Sequence, residues 1–400
     1  MKLVIMLFNK VLKDIKPSVR EKERVQNIVN DFTKILDKKL VKSKTFVGGS
    51  FAKGTWLSEQ HDIDVFVLFD NNKNISIELE KALKKCFKKY EVIHGSRDYF
   101  ITNFKGLIFE IIPVFKVKDY TTAENTTDLS PMHVSWVNSN INDSLREEVL
   151  ICKQFLKANN LYGAETFIGG LHGYLVEILI VYYGGFIKFI RNISKIKVNE
   201  IIDPSKHSTF ASDQNFPLIV IDPVHPNRNV AAALTDDKFN LLIKICKEYL
   251  RKPSENLFRK QKLDVNKYNV IIKARPVEGS VDVSGTKLLK VYEKILQELK
   301  DYGFVILFSN WEWDKQCFFC FKLKDKKLSR DYKHFGPPIE NIEHYEIFKD
   351  KYLGAKQGIE KGRSFVILER EFKDVKSFIE NLLKDEFIKS RVKSIEIIKI

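Results

Sequence analysis

After Pro17 the apolar positions recur on a helical period: Val25, Ile28, Val29, Phe32 and Ile35 fall on one face. Ser18 and Glu21 form a capping box at its start, so a helix is predicted over 18–40 whose stripe is core. The period then shortens. Phe46 and Val47 read as a strand that breaks at Gly48-Gly49, and Asp62-Ile63-Asp64 runs into the apolar strand 65–69. An amphipathic helix over 77–88 and short strands at 90–93, 99–103 and 107–112 complete a small α/β or α+β domain of about 115 residues.

Further on, 145–158 reads as a helix. From Gly169 the run GGLHGYLVEILIVYYGGFIKFI is apolar and near the length of a bilayer span. His172, Glu177 and several glycines interrupt it and no basic flank anchors its start, which predicts a buried helix. In IDPVHPNRNVAAAL (221–234) two X-Pro units predict an extended segment, with Asn229 capping a helix from Val230. A boundary is predicted near 251–254, after a helix over 238–250. Beyond it, strands at 268–273, 303–308, 316–323 and 363–368 alternate with helices at 285–300 and 373–384. There is no internal repeat or low-complexity tract.

Four hundred residues, 44% hydrophobic, suffice for two to four domains and exclude a disordered chain. The formal charge of +15 favours a polyanionic partner such as nucleic acid over a merely solvated lysine-rich surface. Five scattered cysteines make no disulfide framework, so a cytosolic protein is expected. Cys317-x-x-Cys320, inside CFFCFKL, reads as a strand rather than half a zinc site. The apolar run in the first nine residues is too short to span a membrane and lacks a cleavage site.

The candidate chemistry lies in 45–69, TFVGGSFAKGTWLSEQHDIDVFVLF. At Gly48-Gly49 the backbone can take positive φ and approach a ligand closely. Ser50, Ala52, Lys53 and Thr55 read as a helix start, where free N–H groups favour an anion such as a triphosphate. Asp62 and Asp64 share one face of their strand, and two carboxylates beside a phosphate cradle call for divalent metal. A third belongs on a neighbouring strand. Glu110, amid Leu107, Ile108, Phe109, Ile111 and Ile112, needs a cation nearby, and a shared metal site accounts for it better than a lone lysine.

GGS, then AKGT, then DID before an apolar strand resembles the nucleotidyltransferase superfamily that includes DNA polymerase β. The fuller string GSFAKGTWL…DIDVFV resembles the archaeal class I CCA-adding enzymes, tRNA nucleotidyltransferases. DLSPMH (128–133), YGAE…GGLHGYLVEIL, DPVHPNRNVAA and YKHFGPP extend that resemblance over nearly the whole chain, loosely over roughly the last 140 residues. Departures are visible. Glu110 stands where the family usually has Asp, Leu129 and Ser130 replace a basic residue and a threonine, and His225 and Asn227 replace an Asp and a basic residue.

The resemblance implies an α+β multidomain chain: a polymerase-β-like catalytic head over 1–140, a mainly helical neck over 141–255, and an α+β body and tail over 256–400 that binds tRNA. It implies template-independent addition of CCA to the 3′ end of tRNA from CTP and ATP. Mg²⁺ would be held by Asp62, Asp64 and Glu110. Gly49, Ser50, Lys53, Lys153 and Tyr162 would meet the triphosphate, His133 the sugar or α-phosphate, and Arg228 the base. A cytoplasmic homodimer gripping the acceptor stem is implied too. Two alternatives stay open: another template-independent transferase, of poly(A) type or acting on a small molecule, and a non-catalytic RNA-binding protein of the same fold.

Overall fold

Ser18 caps the second helix as expected, its hydroxyl accepting from the Glu21 N–H at 3.1 Å. In this computed structural model the chain is described over residues 2–58, 62–70, 74–95, 97–208, 215–314 and 316–400. Residues 59–61 of the motif stretch therefore lie outside the described residues. The chain divides after Gln261 into two compact units.

The first unit begins with α1 (Lys2–Ile15) and α2 (Val19–Asp37). Val25, Ile28, Val29 and Phe32 of α2 are buried, whereas Ile35 is 37% exposed and Leu36 takes its place inside. A five-stranded sheet follows, built from β1 (Ser43–Val47), β2 (Asp62–Phe69), β3 (Glu91–Ile93), β4 (Tyr99–Phe104) and β5 (Leu107–Phe115) in the order β1-β2-β5-β4-β3. Within this sheet, among the described residues, only β2 and β5 pair in parallel. A single helical turn, α3 (Gly49–Lys53), follows β1, and α4 (Ile75–Cys86) follows β2. One sheet face, with Ile63, Val65, Val67, Phe109 and Ile111, packs on α2 and α4. Phe32 stacks on Phe109 there with ring centroids 3.8 Å apart. Alternation therefore sends Asp62, Asp64 and Glu110 to the other face.

The chain continues into α5 (Ser130–Asn140), α6 (Asp143–Ala158), α7 (Gly173–Tyr183), α8 (Phe186–Ile193), strands β6 (Glu200–Ile202), β7 (Leu218–Asp222) and β8 (His225–Asn229), and α9 (Asp236–Arg251). Val11 and Ile15 of α1 join this helical core. The long apolar run is two helices rather than one, bent by 94° where Gly184 and Gly185 take positive φ. Among the described residues no single helix is long and apolar enough to cross a membrane. The expected helix from Val230 is absent. Asn229 closes a short hairpin instead, its side chain accepting from the Val220 and Ala231 N–H groups at 2.9 Å, and the next helix starts only at the Thr235 cap.

In the second unit, α10 (Val281–Tyr302) and α12 (Val375–Leu382) cover one face of a sheet of β9 (Val270–Pro276), β10 (Ile306–Trp313), β11 (Cys317–Leu323) and β15 (Val392–Lys399). A smaller sheet joins β12 (Asp331–Pro338), β13 (Lys356–Glu360) and β14 (Arg363–Glu369), with α11 (Ile342–Lys351) connecting the first two. Cys317 and Cys320 are buried on opposite faces of β11, in different clusters, so they cannot ligate together.

Candidate active site

The parallel register of β2 and β5 sets Asp64 directly opposite Glu110, with Asp62 two residues before Asp64 on the same face. The glycine turn is clamped to this strand by the Gly48 N–H, which donates to the Asp64 carbonyl at 2.8 Å. At Gly49, φ is +61° and a Cβ would stand 1.6 Å from Asp64 Oδ2, so glycine alone allows the backbone so near the carboxylate. Burial pushes the Asp64 carboxyl up to about 6, Lys53 opposing and Asp62 adding. Burial, with the Asp64 and Asp62 charges, pushes Glu110 up to about 7.

Among the described residues no three of His, Cys, Asp or Glu gather round a single point, so the carboxylates form an adjacent, open set. Oxygen-only donors that repel one another still fit a hard divalent cation, which would relieve that repulsion. A carboxyl whose folded pKa lies above its unfolded value near 4 destabilises the metal-free protein as pH rises through 7. Glu110→Gln is accordingly expected to stabilise the protein in chelator at pH 8, on the order of 1 kcal/mol after allowance for solvent screening. Thermal unfolding reads this; a lower Tm for the variant would contradict it.

The two lysines expected at the triphosphate are buried, Lys53 at 7% and Lys153 at 2% exposure, and converge on the fully buried Glu177 of α7. Lys53 Nζ lies 2.5 Å from Glu177 Oε2 and Lys153 Nζ 3.0 Å from Oε1. The Thr55 hydroxyl donates to Oε1 at 2.5 Å, and Lys153 also donates to the Thr55 carbonyl at 2.9 Å. Burial works against the Glu177 charge, but Lys153 and Lys53 outweigh it and hold the carboxyl at about 2. Tyr162 abuts this cluster: a Cβ on Gly173 would stand 2.9 Å from its hydroxyl and 3.5 Å from Lys153 Nζ. Burial keeps the Tyr162 phenol protonated, a donor. Lys157, one turn beyond Lys153, stands 5.0 Å from the Tyr162 ring centroid, with no ion pair among the described residues. Burial and Lys153 bring it down to about 8. Its i, i+4 spacing from Lys153 was the available signal for this cation.

Ser50 sits half-buried on α3. Nearby a cavity of about 660 Å³ is lined by Asp64, Phe66 and Tyr99 from the sheet, Thr127, Ser130 and His133 from the following segment, and His172, Tyr174 and Arg228. In DLSPMH, Asp128 and Leu129 close a 3₁₀ turn and Ser130 opens α5, with Pro131 in its first turn. Leu129 is fully buried, which explains an apolar residue there, and beside it Arg97 Nη2 donates to both oxygens of Asp128, at 2.9 and 3.1 Å. Asp222, also fully buried, organises the cavity's far wall. Its Oδ2 takes Arg228 Nη1 at 2.7 Å and His133 Nε2 at 3.2 Å, and its Oδ1 takes the Tyr174 hydroxyl and the Val224 N–H at 3.0 Å. Burial opposes this charge, yet His133, Val224 and Arg228 keep it well below the usual carboxylate range. Neither Asp222 nor Glu177 was singled out as a site residue from sequence; His133 and Tyr174 on Asp222, and Lys53 and Lys153 on Glu177, lie far from them along the chain.

The structure thus brings Asp64, His133 and Arg228 to one cavity, with Glu110 beside Asp64, while Lys53 and Lys153 meet on Glu177. Comparison with known proteins gives three family matches. Residues 1–146 match the Second Messenger Oligonucleotide or Dinucleotide Synthetase domain, 147–259 the second domain of tRNA nucleotidyltransferase, and 280–394 the C-terminal domain of the CCA-adding enzyme. The CCA-adding enzyme of Nanoarchaeum equitans is 33% identical over 398 residues, covering 96% of this chain and 99% of its own. That of Methanosarcina mazei is 31% identical over 402 residues, covering 93% and 88%. The chain belongs to the CCA-adding enzyme family.

As a member of the CCA-adding enzymes it is a nucleotidyltransferase with the mixed α/β, multidomain fold expected of it. A cytoplasmic RNA terminal U-transferase, 13% identical with TM-score 0.52, shares the fold over 65% of this chain and 99% of its own.

Proposed function

We propose that this CCA-adding enzyme carries out template-independent addition of C, C and A to the 3′ end of tRNA, from CTP and ATP, in the cavity between Asp64 and Arg228. The observation that carries this reading is the register of Asp64 against Glu110 at the edge of a cavity whose opposite wall holds His133 and Arg228. Mg²⁺ bound by Asp62, Asp64 and Glu110 would acidify the tRNA 3′-hydroxyl and stabilise the departing pyrophosphate. Asp62 and Asp64 face both reacting ends, and Glu110 the attacking hydroxyl. Gly49 and Ser50 offer backbone and hydroxyl donors to the triphosphate. Lys53, Lys153 and the Tyr162 hydroxyl form its positive wall, with both ammonium groups held in place by Glu177. His133 meets the sugar or α-phosphate, and Arg228, anchored on Asp222, reads the base.

In this reading residues 1–140 act as catalytic head, 141–255 as neck and 256–400 as the body and tail that hold the acceptor stem, drawn to it by the net charge of +15. By family resemblance the working form is a cytoplasmic homodimer. Arg228→Ala is expected to lower the preference for CTP and ATP over UTP and GTP roughly tenfold or more, while turnover with CTP falls less. Single-turnover incorporation of each labelled triphosphate into tRNA reads both quantities. An unchanged preference would count against the cavity as the base-reading site.

A further inference from the structure

His172 stands at the start of α7 with its ring on the cavity wall beside Arg228. Its Nε2 lies 3.1 Å from the Val230 carbonyl oxygen. A carbonyl only accepts, so Nε2 carries the proton and Nδ1 keeps a lone pair. Nδ1 has no hydrogen-bond partner among the described residues, and it is not sealed inside the protein. The tautomer is therefore set from behind, and the acceptor is left to the cavity. Burial pushes the imidazole down to about 4, with the Val230 carbonyl opposing and the Arg228 charge adding, so the ring is neutral at physiological pH.

Arg228 complements it. One guanidinium nitrogen is tied to Asp222 Oδ2 at 2.7 Å, and every other polar hydrogen of the group is a donor. The wall thus sets donors beside an acceptor. Cytosine and adenine each present an amino group next to an unprotonated ring nitrogen, whereas uracil and guanine present a carbonyl next to a ring N–H. We infer that His172 is a specificity-determining residue, whose Nδ1 accepts from the exocyclic amino group of cytosine or adenine while Arg228 donates to the adjacent ring nitrogen. Uracil or guanine would set a carbonyl oxygen against the Nδ1 lone pair and an N–H against the guanidinium, leaving both unpaired. One polarity pattern admits two bases of different size. The inference rests on the cavity being the nucleotide site.

The test uses the full-length protein with tRNA lacking its last three nucleotides or its terminal A. It compares wild type, His172→Phe, His172→Asn and Arg228→Ala with CTP, UTP, ATP and GTP, alongside thermal unfolding. His172→Phe keeps a ring but loses the acceptor; His172→Asn can place an amide oxygen near the Nδ1 position. The phenylalanine variant is expected to lose roughly tenfold or more in kcat/KM for CTP and ATP, with UTP and GTP unchanged or improved. The asparagine variant is expected to recover part of the lost preference. An equal loss for all four triphosphates in both variants, or an unchanged preference in a folded phenylalanine variant, overturns the role of His172. If Arg228→Ala lowers discrimination and His172→Phe does not, only this inference fails. If neither does, the cavity itself is misassigned.

Discussion

Asp64→Ala is expected to abolish nucleotide addition, lowering kcat at least roughly a thousandfold, while affinity for tRNA stays within about twofold. Asp64 is the carboxylate on which the head converges: opposite Glu110 in register, on the same face as Asp62, and within reach of the Gly49 backbone. Its carboxyl is pushed up to about 6, chiefly by burial, so removing it relieves a cost rather than opening a structural gap. The folded state should therefore survive the change. Affinity for tRNA is expected to rest instead on the lysine-rich surface, which would displace counterions, and to weaken steeply with salt in wild type and variant alike. Gel-shift titration beside single-turnover addition separates the two effects. Parallel loss of binding and addition would make the carboxylates structural.

Glu177→Gln carries the largest expected effect on stability. The amide keeps the side chain's shape but leaves Lys53 and Lys153 buried without their shared counter-charge, a cost of about 3 to 5 kcal/mol. In a unit of this size that corresponds to a fall in Tm on the order of 10 °C. The pH dependence has a definite sign. The Glu177 carboxyl is held at about 2 in the folded protein, below its unfolded value, so its contribution is complete at neutral pH and fades as pH falls through the acid range towards 2. The gap between wild type and variant should be widest near pH 7 and shrink below about pH 4. A gap under about 1 kcal/mol at pH 7 would mean that the lysines find other partners.

The shared acidic face of β2 and β5 was legible in the sequence because its signal is local. A period of two around Asp62 and Asp64, and a single carboxylate inside an apolar run at Glu110, dictate strands whose acidic residues share a face. Parallel pairing then sets Asp64 against Glu110. The helical stripe of α2 was legible for the same reason, with Leu36 rather than Ile35 continuing it inward at i+4 from Phe32. Interactions across long sequence separation were not legible. Lys53 and Glu177 lie 124 residues apart, and Lys153 and Thr55 98 apart, so no spacing rule could show that two lysines read as phosphate ligands share a buried carboxylate. His133 and Asp222, 89 apart, make the same point. Asn229 was misread because an Asn before small apolar residues suits a helix cap as well as a hairpin, and only the pairing of β7 with β8 decides between them. β15 was missed as a strand for a related reason: it is largely exposed and owes its place to pairing with β9.

The most direct test incubates the protein with Mg²⁺, CTP, ATP and a tRNA lacking its last three nucleotides, and sequences the products. Growth by C, C and A that then stops, and that is lost in Asp64→Ala, is the result expected of an active site at the carboxylate-lined cavity. No growth, or a long homopolymer tail, would contradict it.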